Sequence, residues 1–146
     1  MMTELLEAWQ APATLPLDDT ERALIESTIR DDYYGGWFEG DAARMARAIH
    51  PALAKRALDQ DRTRSAGLWH TTADEMIVAA GAGNGRARVG NGRVEITVHH
   101  AGGGIATATA LADHYVDYLH LVRTPDGWRI INALWRWADG HGPRRS

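Results

Sequence analysis

The sequence predicts an α+β domain, with helices in the first half and a curved, mostly antiparallel sheet packed around them. Two observations carry this prediction. In the first half, apolar residues recur every three or four positions, which is typical of amphipathic helices. In the second half, apolar and polar residues alternate in segments joined by short glycine-containing turns, which indicates an antiparallel meander. Helices that are separated along the chain from such a meander form an α+β domain. A sheet that curves around these helices encloses a cavity.

Composition excludes several classes of protein. The 146 residues are the usual length of one domain, and the absence of cysteine rules out disulfides, a cysteine nucleophile and thiolate metal sites. A net charge of −3 argues against general nucleic-acid binding. No apolar run approaches the roughly 18–20 residues of a membrane span, and the acidic start of the chain differs from a secretory signal. We therefore expect a cytoplasmic protein that has neither nucleic acid nor membrane as its partner.

The domain is predicted to occupy residues 18–138. Pro12 and Pro16 separate it from an N-terminal lead-in, residues 1–17, and a polar tail follows at 139–146. Aromatic usage is unusual, with six Trp and four Tyr but one Phe. Trp and Tyr carry a polar group on a large apolar body, so this excess suits half-wet cavities and interfaces.

A long first helix is predicted to begin after Asp18, which supplies N-cap chemistry. The helix should run to about Tyr34 or Trp37, and Gly35-Gly36 weakens its end. The apolar stripe of this helix consists of Leu24, Ile25, Ile29, Tyr33 and Trp37. A second helix, Ala42–Ile49, should follow directly.

The middle of the chain predicts smaller elements. Pro51 should end the second helix and open one further turn at Ala52–Ala54. Arg56–Asp59 and Gly67–His70 can pair as a short hairpin. A capping box then predicts a short helix, Ala73–Ala80, which ends at Gly81 and leads into a glycine-rich loop.

Four strands are predicted in the last third of the chain. They are the strand around Val94–Val98, then Ile105–Ala112, Tyr115–Arg123 and Trp128–Trp137. Gly102–Gly104 and Pro125–Gly127 provide turn residues between neighbouring strands, so these strands should be antiparallel.

Two stretches of the sequence resemble a known family. The first is Tyr33–Asp41, followed by Met45 and His50-Pro51, and the second is Tyr115–Leu121, followed by Asp126–Trp135. They resemble the opening and the last two strands of nuclear transport factor 2-like domains, and within these the branch described as "putative lumazine-binding". The resemblance covers the predicted domain. It implies a cone-shaped fold with a deep apolar pocket, and a homodimer formed through the outer face of the sheet.

Ketosteroid isomerases share this fold, and the resemblance can be followed residue by residue. Their pocket tyrosine corresponds to Tyr33, and their protonated oxyanion-hole aspartate corresponds to Asp117. Their pocket positions on the last strand correspond to Ile131, Ala133 and Trp135. Their general-base aspartate corresponds to Ala57, so the chain departs from the isomerases at the position that abstracts a proton.

Asp117 is the main candidate for chemistry, and two interpretations stay open. It lies between Tyr115 and Leu119 on one strand face. If that face is concave, desolvation raises its pKa and lets it donate a hydrogen bond; otherwise it caps a helix or pairs with an arginine. Tyr33 is likewise either a core tyrosine or a donor in the pocket, and Trp37 should pack near the pocket mouth.

The last strand is apolar on both faces. Trp135 and Trp137 share one face with Ile131 and Ala133, which suits the lining of a cavity. The opposite face consists of Trp128, Ile130, Asn132 and Leu134. Because apolar faces are normally covered, we expect a second subunit on the outer face.

The histidines give weaker signals. His70 could reach the pocket mouth, where it or Asp59 would act as a base. His99 and His100 are neighbours on a strand and should point to opposite faces, so they cannot chelate one ion together. We expect neither a metal nor a cofactor.

Three functions remain open. The leading hypothesis is a homodimeric protein that binds a small, partly apolar, ring-shaped ligand. The expected ligand-binding residues are Tyr33, Trp37, His70, Tyr115, Asp117, Leu119, Ile131, Ala133 and Trp135. The second hypothesis is an isomerase, dehydratase or cyclase in which Asp117 and Tyr33 polarise a carbonyl. The third is a non-catalytic dimeric interaction domain whose sheet faces a partner.

Overall fold

The computed structural model describes residues 17–58, 67–86, 93–112 and 114–138. The helices in these ranges are α1 (Asp19–Ser27), α2 (Gly35–Glu39), α3 (Ala42–Ala48) and α4 (Ala73–Gly81), and a π-helical segment spans Thr28–Tyr34. The strands are β1 (Ile49–Leu58), β2 (Leu68–Thr71), β3 (Val94–Gly102), β4 (Ile105–Ala112), β5 (Tyr115–Thr124) and β6 (Gly127–Trp137). The predicted lead-in (apart from Leu17), the polar tail and Asp59 lie outside the described residues.

The six strands form one sheet in the order β2-β1-β6-β5-β4-β3. β1 and β6 run parallel, and all other neighbouring strands run antiparallel. The helices pack against one face of this sheet. The predicted α+β class, with N-terminal helices inside a curved and mostly antiparallel sheet, is confirmed.

The helical half starts as predicted but does not break at its glycines. The side chain of Asp18 accepts hydrogen bonds from two amides in the first turn of α1. The helical path continues through Gly36 to Glu39, because these glycines have helical dihedral angles. A Cβ added to Gly36 would lie 2.8 Å from the backbone nitrogen of Met45, so glycine allows α2 and α3 to approach closely.

The predicted turn at Ala52–Ala54 is wrong, because these residues belong to β1. This strand pairs with β2 on one side and with β6 on the other. Pro51 lies where the register between β1 and β6 is interrupted, which is a position that tolerates a residue without an N–H group. These residues form a strand because they pair with β6, almost eighty residues later in the chain. Local sequence patterns do not indicate this pairing.

The predicted hairpin and the short helix that follows it are confirmed. Arg56 of β1 pairs with His70 of β2. Thr72 and Glu75 then form a reciprocal capping box, with distances of 3.1 and 3.2 Å, at the start of α4. The meander β3 to β6 is confirmed as well.

A β-bulge in β6 changes which residues face the core. The register between β5 and β6 shifts by one residue at Ile131, so the alternation of faces changes there. Trp128 and Ile130, which were predicted on the outer face, are buried in the core on the same side as Ala133. Strict alternation was therefore wrong for this part of β6, whereas Leu134 does lie exposed.

The core lies between the helices and the inner face of the sheet. Its largest fully buried side chains are Ile25, Ile29, Tyr33, Tyr34, Met45, Ile49, Leu119, Leu121 and Ile130. Within the described ranges, no helix is long and apolar enough to cross a membrane.

Candidate functional site

A cavity of about 620 Å³ opens between the helices and the sheet. This volume falls within the range of roughly 300–1,000 Å³ that is usual for small-molecule sites. The lining residues are Tyr33, Tyr34, Trp37, Lys55, Thr71, Met76, Ala79, Gly83, Asn84, Tyr115, Asp117, Trp135 and Trp137. The lining is mainly aromatic and apolar, and Lys55 and Asp117 are its charged members.

The π-helical segment brings two adjacent tyrosines into the cavity. An α-helix turns about 100° per residue and would direct neighbours to different sides. The wider π-helical turn leaves Tyr33 and Tyr34 both buried, with ring centroids 5.0 Å apart in an edge-to-face arrangement. The Tyr34 hydroxyl donates to Oδ2 of Asp117, and the Tyr33 hydroxyl accepts from Nζ of Lys55. Each tyrosine therefore holds one ionisable side chain.

Asp117 lies on the inner face of β5 and is 2% exposed. Burial raises the pKa of its carboxyl above the usual value near 3.8, while the Lys55 charge and the Tyr34 hydrogen bond act in the opposite direction. Its second oxygen, Oδ1, is buried and has no hydrogen-bond partner within the described part of the chain. A buried oxygen without a hydrogen-bond partner lowers the stability of the fold unless it carries a proton or forms a hydrogen bond with a ligand. The carboxyl is thus set up for one further hydrogen bond.

Lys55 lies on the inner face of β1, opposite Thr71 of β2. It is the only lysine in the sequence, and all other basic residues are arginine or histidine. Its Nζ lies 4.9 Å from the ring centroid of Tyr33 and 5.5 Å from that of Trp135. Burial lowers the pKa of the amine from 10.5, and the negative charge of Asp117 offsets part of this effect. Lys55 and Asp117 bond to their tyrosines and not to each other, and burial moves both groups toward their neutral forms.

Aromatic rings form the wall beside Asp117. The ring centroid of Tyr115 lies 5.4 Å from that of Trp135 and 5.2 Å from that of Trp137. The indole of Trp37 donates from Nε1 to the Tyr115 hydroxyl at 3.2 Å. Rings fixed in this way offer preformed faces on which a flat molecule can stack.

The loop after α4 packs against Trp37. A Cβ added to Gly85 would lie 2.2 Å from the carbonyl oxygen of Trp37, so only glycine fits this contact. Arg86 then donates two hydrogen bonds from its guanidinium to the carbonyl oxygen of Glu39, at 2.8 and 3.0 Å. The described part of the predicted glycine-rich loop is therefore tied to α2, and it also lines the cavity through Gly83 and its neighbour.

Five of the predicted site residues line the cavity. They are Tyr33, Trp37, Tyr115, Asp117 and Trp135. Leu119 and Ala133 are buried in the adjoining core, and Ile131 lies at the bulge; none of the three is part of the cavity lining. His70 is exposed and neighbours Thr71 along β2, and since Thr71 lines the cavity, His70 faces the outer side of the sheet.

The two residues that hydrogen-bond Asp117 and Tyr33, namely Tyr34 and Lys55, were not among the predicted site residues. Lys55 was missed because it lies between the turn predicted at Ala52–Ala54 and the hairpin strand predicted from Arg56, whereas in the structure it is a buried residue of β1. A single lysine on an otherwise apolar strand face is the signal that could have found it. Tyr34 was missed because a regular helical period places only one of two adjacent tyrosines on the inner stripe, and the sequence carries no mark of the π-helical segment.

The arrangement provides one group that can donate a proton and one that can accept it. Asp117, when protonated, can donate a hydrogen bond to the oxygen of a bound carbonyl. Lys55, when neutral, can accept a proton or attack as a nucleophile. Tyr33 and Tyr34 stay protonated, because burial and the charge of Asp117 raise their pKa values well above 10.0. Over the described ranges, no three His, Asp or Glu side chains come together as a metal site.

Solved structures share the fold of this chain. It is similar to an NTF2-like protein of unknown function from Silicibacter pomeroyi, with 14% identity, coverage of 84% of this chain and 100% of that chain, and a TM-score of 0.60. It is also similar to an NTF2-like protein with a cystatin-like fold from Novosphingobium aromaticivorans, with 17% identity, coverage of 97% and 88%, and a TM-score of 0.58. A protein from Streptomyces avermitilis named as a putative dehydratase from the NTF2-like family shows 13% identity, coverage of 82% and 97%, and a TM-score of 0.52. At these identities the similarity concerns the fold alone.

Sequence comparison identifies the family of this chain. No curated protein matches the chain. The model of a family described as "Putative lumazine-binding" matches residues 20–136, which leave out only the first residue of α1 and the last residue of β6 among the described helices and strands. Its match agrees with the NTF2-like fold of the solved structures. The chain therefore belongs to the family described as "Putative lumazine-binding", and it has the fold of the NTF2-like structures.

Proposed function

We propose that the protein binds a small, partly apolar, ring-shaped molecule in the cavity beside Asp117. The observation that carries this proposal is the combination of aromatic walls with a buried carboxyl whose Oδ1 has no partner among the described residues. The rings of Trp37 and Trp135 can stack on a flat ligand, and Asp117 can bond its carbonyl group or ring nitrogen. The description of the family supports a lumazine-like ring as one such ligand.

The test uses the tryptophans of the cavity as reporters. Trp37, Trp135 and Trp137 line it, so a bound ring should quench their fluorescence. Lumazine and 2-naphthalenemethanol are suitable probes, because both are flat and only lumazine carries ring carbonyls. Saturable quenching by either probe supports the proposal. No saturable quenching by either probe at millimolar concentration overturns it.

Two variants of one helix separate binding in the cavity from binding elsewhere. Ala79 lines the cavity, whereas its neighbour Val78 is 71% exposed and lies outside it. Ala79→Trp fills the cavity and should weaken binding at least about tenfold, or roughly 1.4 kcal/mol. Val78→Trp adds the same indole to the same helix and should leave the affinity unchanged. Equal effects of the two variants would place the binding site outside the cavity.

The protein is also proposed to be a homodimer through the outer face of the sheet. Tyr118 and Leu134 are direct cross-strand neighbours there, and both are more than two-fifths exposed. Ile105 and Leu111 add exposed apolar side chains on β4. Tyr118→Glu should convert the dimer to a monomer in light scattering at micromolar concentration, and Val78→Glu should not. A wild-type mass of 16.1 kDa in solution would contradict the dimer.

The second candidate function is an enzyme that polarises a carbonyl with Asp117 and Tyr33. The raised pKa of Asp117 favours it, because a protonated carboxyl in a cavity is a hydrogen-bond donor. Lys55 then supplies the base that the family resemblance did not provide. The test follows conversion of a cyclic β,γ-unsaturated ketone to its conjugated isomer by ultraviolet absorbance. No conversion by the wild type, with binding of the ketone intact, would leave the protein as a binder.

A further inference from the structure

We infer that Lys55 forms a reversible imine with an aldehyde or ketone bound in the cavity. The inference rests on the proposed function, since the carbonyl compound must first bind. It goes beyond that function in naming a substrate class and a covalent step.

The position of Lys55 is the first argument. Lysine side chains are almost always solvent-exposed, and a buried one is normally paired with a carboxylate. Lys55 is 8% exposed and lines the cavity, and its Nζ bonds the neutral hydroxyl of Tyr33. The only lysine of the sequence is thus held inside a cavity, with no direct carboxylate contact among the described residues, whereas arginine supplies the cations of the ion pairs in this part of the chain. An arginine would serve equally well for charge alone, but only a lysine can form an imine.

The surroundings of Nζ are the second argument. Nζ donates a hydrogen bond to Tyr33 of the π-helical segment and lies over the ring of Trp135 of β6. It also interacts electrostatically with Asp117 of β5. On β2 its cross-strand neighbour is Thr71, which is uncharged. Desolvation by such walls favours the neutral amine, which is the nucleophilic form, and lysines that react with carbonyls are activated in this way.

The step needs no reactant beyond the amine and the carbonyl compound. The Nζ lone pair forms a bond to the carbonyl carbon, and the carbonyl oxygen takes up a proton to give a carbinolamine. The C–O bond then breaks, the oxygen leaves as water, and a C=N bond remains. Both hydrogens of that water come from the nitrogen, and Asp117 can pass them to the oxygen through its carboxyl. Asp117 ends the step with the proton that it held at the start, and the two amine hydrogens leave with the water.

The experiment traps the imine by reduction. Full-length protein is incubated with 2-naphthaldehyde and sodium cyanoborohydride, which delivers hydride to the imine carbon and leaves a stable secondary amine. Peptide mass spectrometry then measures labelling of Lys55 separately from that of the α-amino group. The same reaction on urea-unfolded protein gives the rate for Lys55 without its cavity, and Lys55→Arg serves as the variant that keeps a cation but cannot react.

The expected result is faster labelling of Lys55 in the native than in the unfolded protein, by about tenfold for each unit by which its pKa is lowered. Ala79→Trp should slow this labelling, and Val78→Trp should not. Equal or slower labelling in the native state, or labelling at the α-amino group only, overturns the inference. Saturable quenching by 2-naphthalenemethanol without trapping leaves the proposed function standing and removes the covalent step. No quenching by either flat probe removes both.

Discussion

The inner face of the sheet has two ends that differ in packing and polarity, although β5 and β6 contribute to both. The core end is closed by apolar side chains, namely Ile25, Ile29, Leu121, Trp128 and Ile130. The cavity end holds Tyr33, Tyr34, Lys55, Asp117 and Trp135 around an open volume. The bulge at Ile131 lies between them on β6. The core end thus resembles an ordinary protein interior, whereas the cavity end buries two ionisable groups without a direct pair.

This difference indicates that the cavity end contributes less to stability than the core end. Burial of a charge without a direct partner destabilises a fold, and an apolar replacement would often stabilise it. The core end therefore supplies the stability that the cavity end lacks. Three comparisons of variants test this division, from the largest expected effect on stability to the smallest.

The largest effect is expected from Ile130→Ala at the core end. Ile130 is fully buried, so its truncation removes apolar contacts and leaves a void, at a cost of about 3 kcal/mol in the free energy of unfolding. Trp135→Leu at the cavity end should cost less, because Trp135 is partly exposed and already borders open volume. Urea unfolding and the fluorescence titration measure both. The proposed difference between the two ends is contradicted if Trp135→Leu lowers the free energy of unfolding more than Ile130→Ala does. It is also contradicted if Ile130→Ala weakens probe binding more than Trp135→Leu does.

An intermediate effect is expected from Gly85→Ala. The new Cβ would lie 2.2 Å from the Trp37 carbonyl oxygen, so the loop must move away from α2, at a cost of about 1–3 kcal/mol. Because the same loop lines the cavity, probe affinity should fall as well. Gly102→Ala is the control, since its Cβ would meet only a His100 side-chain atom at 3.4 Å. Unchanged affinity in Gly85→Ala would mean that the loop does not shape the site.

The smallest effect is a pH dependence in Asp117→Asn. The pKa of Asp117 is raised in the folded protein, so above about pH 3.8 the folded state holds a proton that the unfolded state has released. The stability contributed by this group therefore falls as the pH rises from that value through the folded-state pKa. The amide of the Asp117→Asn variant does not titrate. The Tm of this variant, relative to that of the wild type, should therefore rise by a few degrees between pH 4 and pH 8.

The control for this pH dependence is Asp126→Asn, which changes an aspartate whose side chain is 80% exposed. Its Tm should run parallel to that of the wild type. A difference between Asp117→Asn and wild type that stays constant with pH would show that burial does not hold the proton on Asp117.

The predictable part of the site consists of residues whose local pattern agrees with their final environment. Asp117 is framed by Tyr115 and Leu119 on a regular strand, so alternation predicted that the three share one face, and the family resemblance predicted that this face lines the pocket. Tyr33 continues the apolar stripe of the first helix. Lys55 and Tyr34 escaped because their placement depends on the long-range pairing of β1 and on a π-helical turn. For the same reason the faces of Trp128 and Ile130 were predicted wrongly, since a bulge leaves no local signature.

Sequence alone predicts the order of helices and strands, the caps of α1 and α4, and, from the excess of Trp and Tyr, a half-wet cavity or interface. These features depend on neighbours a few residues apart, which helical periodicity, strand alternation and capping describe. Tertiary structure alone extends β1 back from the predicted hairpin to Ile49, changes the face of β6 at Ile131, and places the single lysine in the same cavity as Asp117. These outcomes depend on contacts between distant segments, and burial, which changes the chemistry of Lys55 and Asp117, exists only once those contacts form.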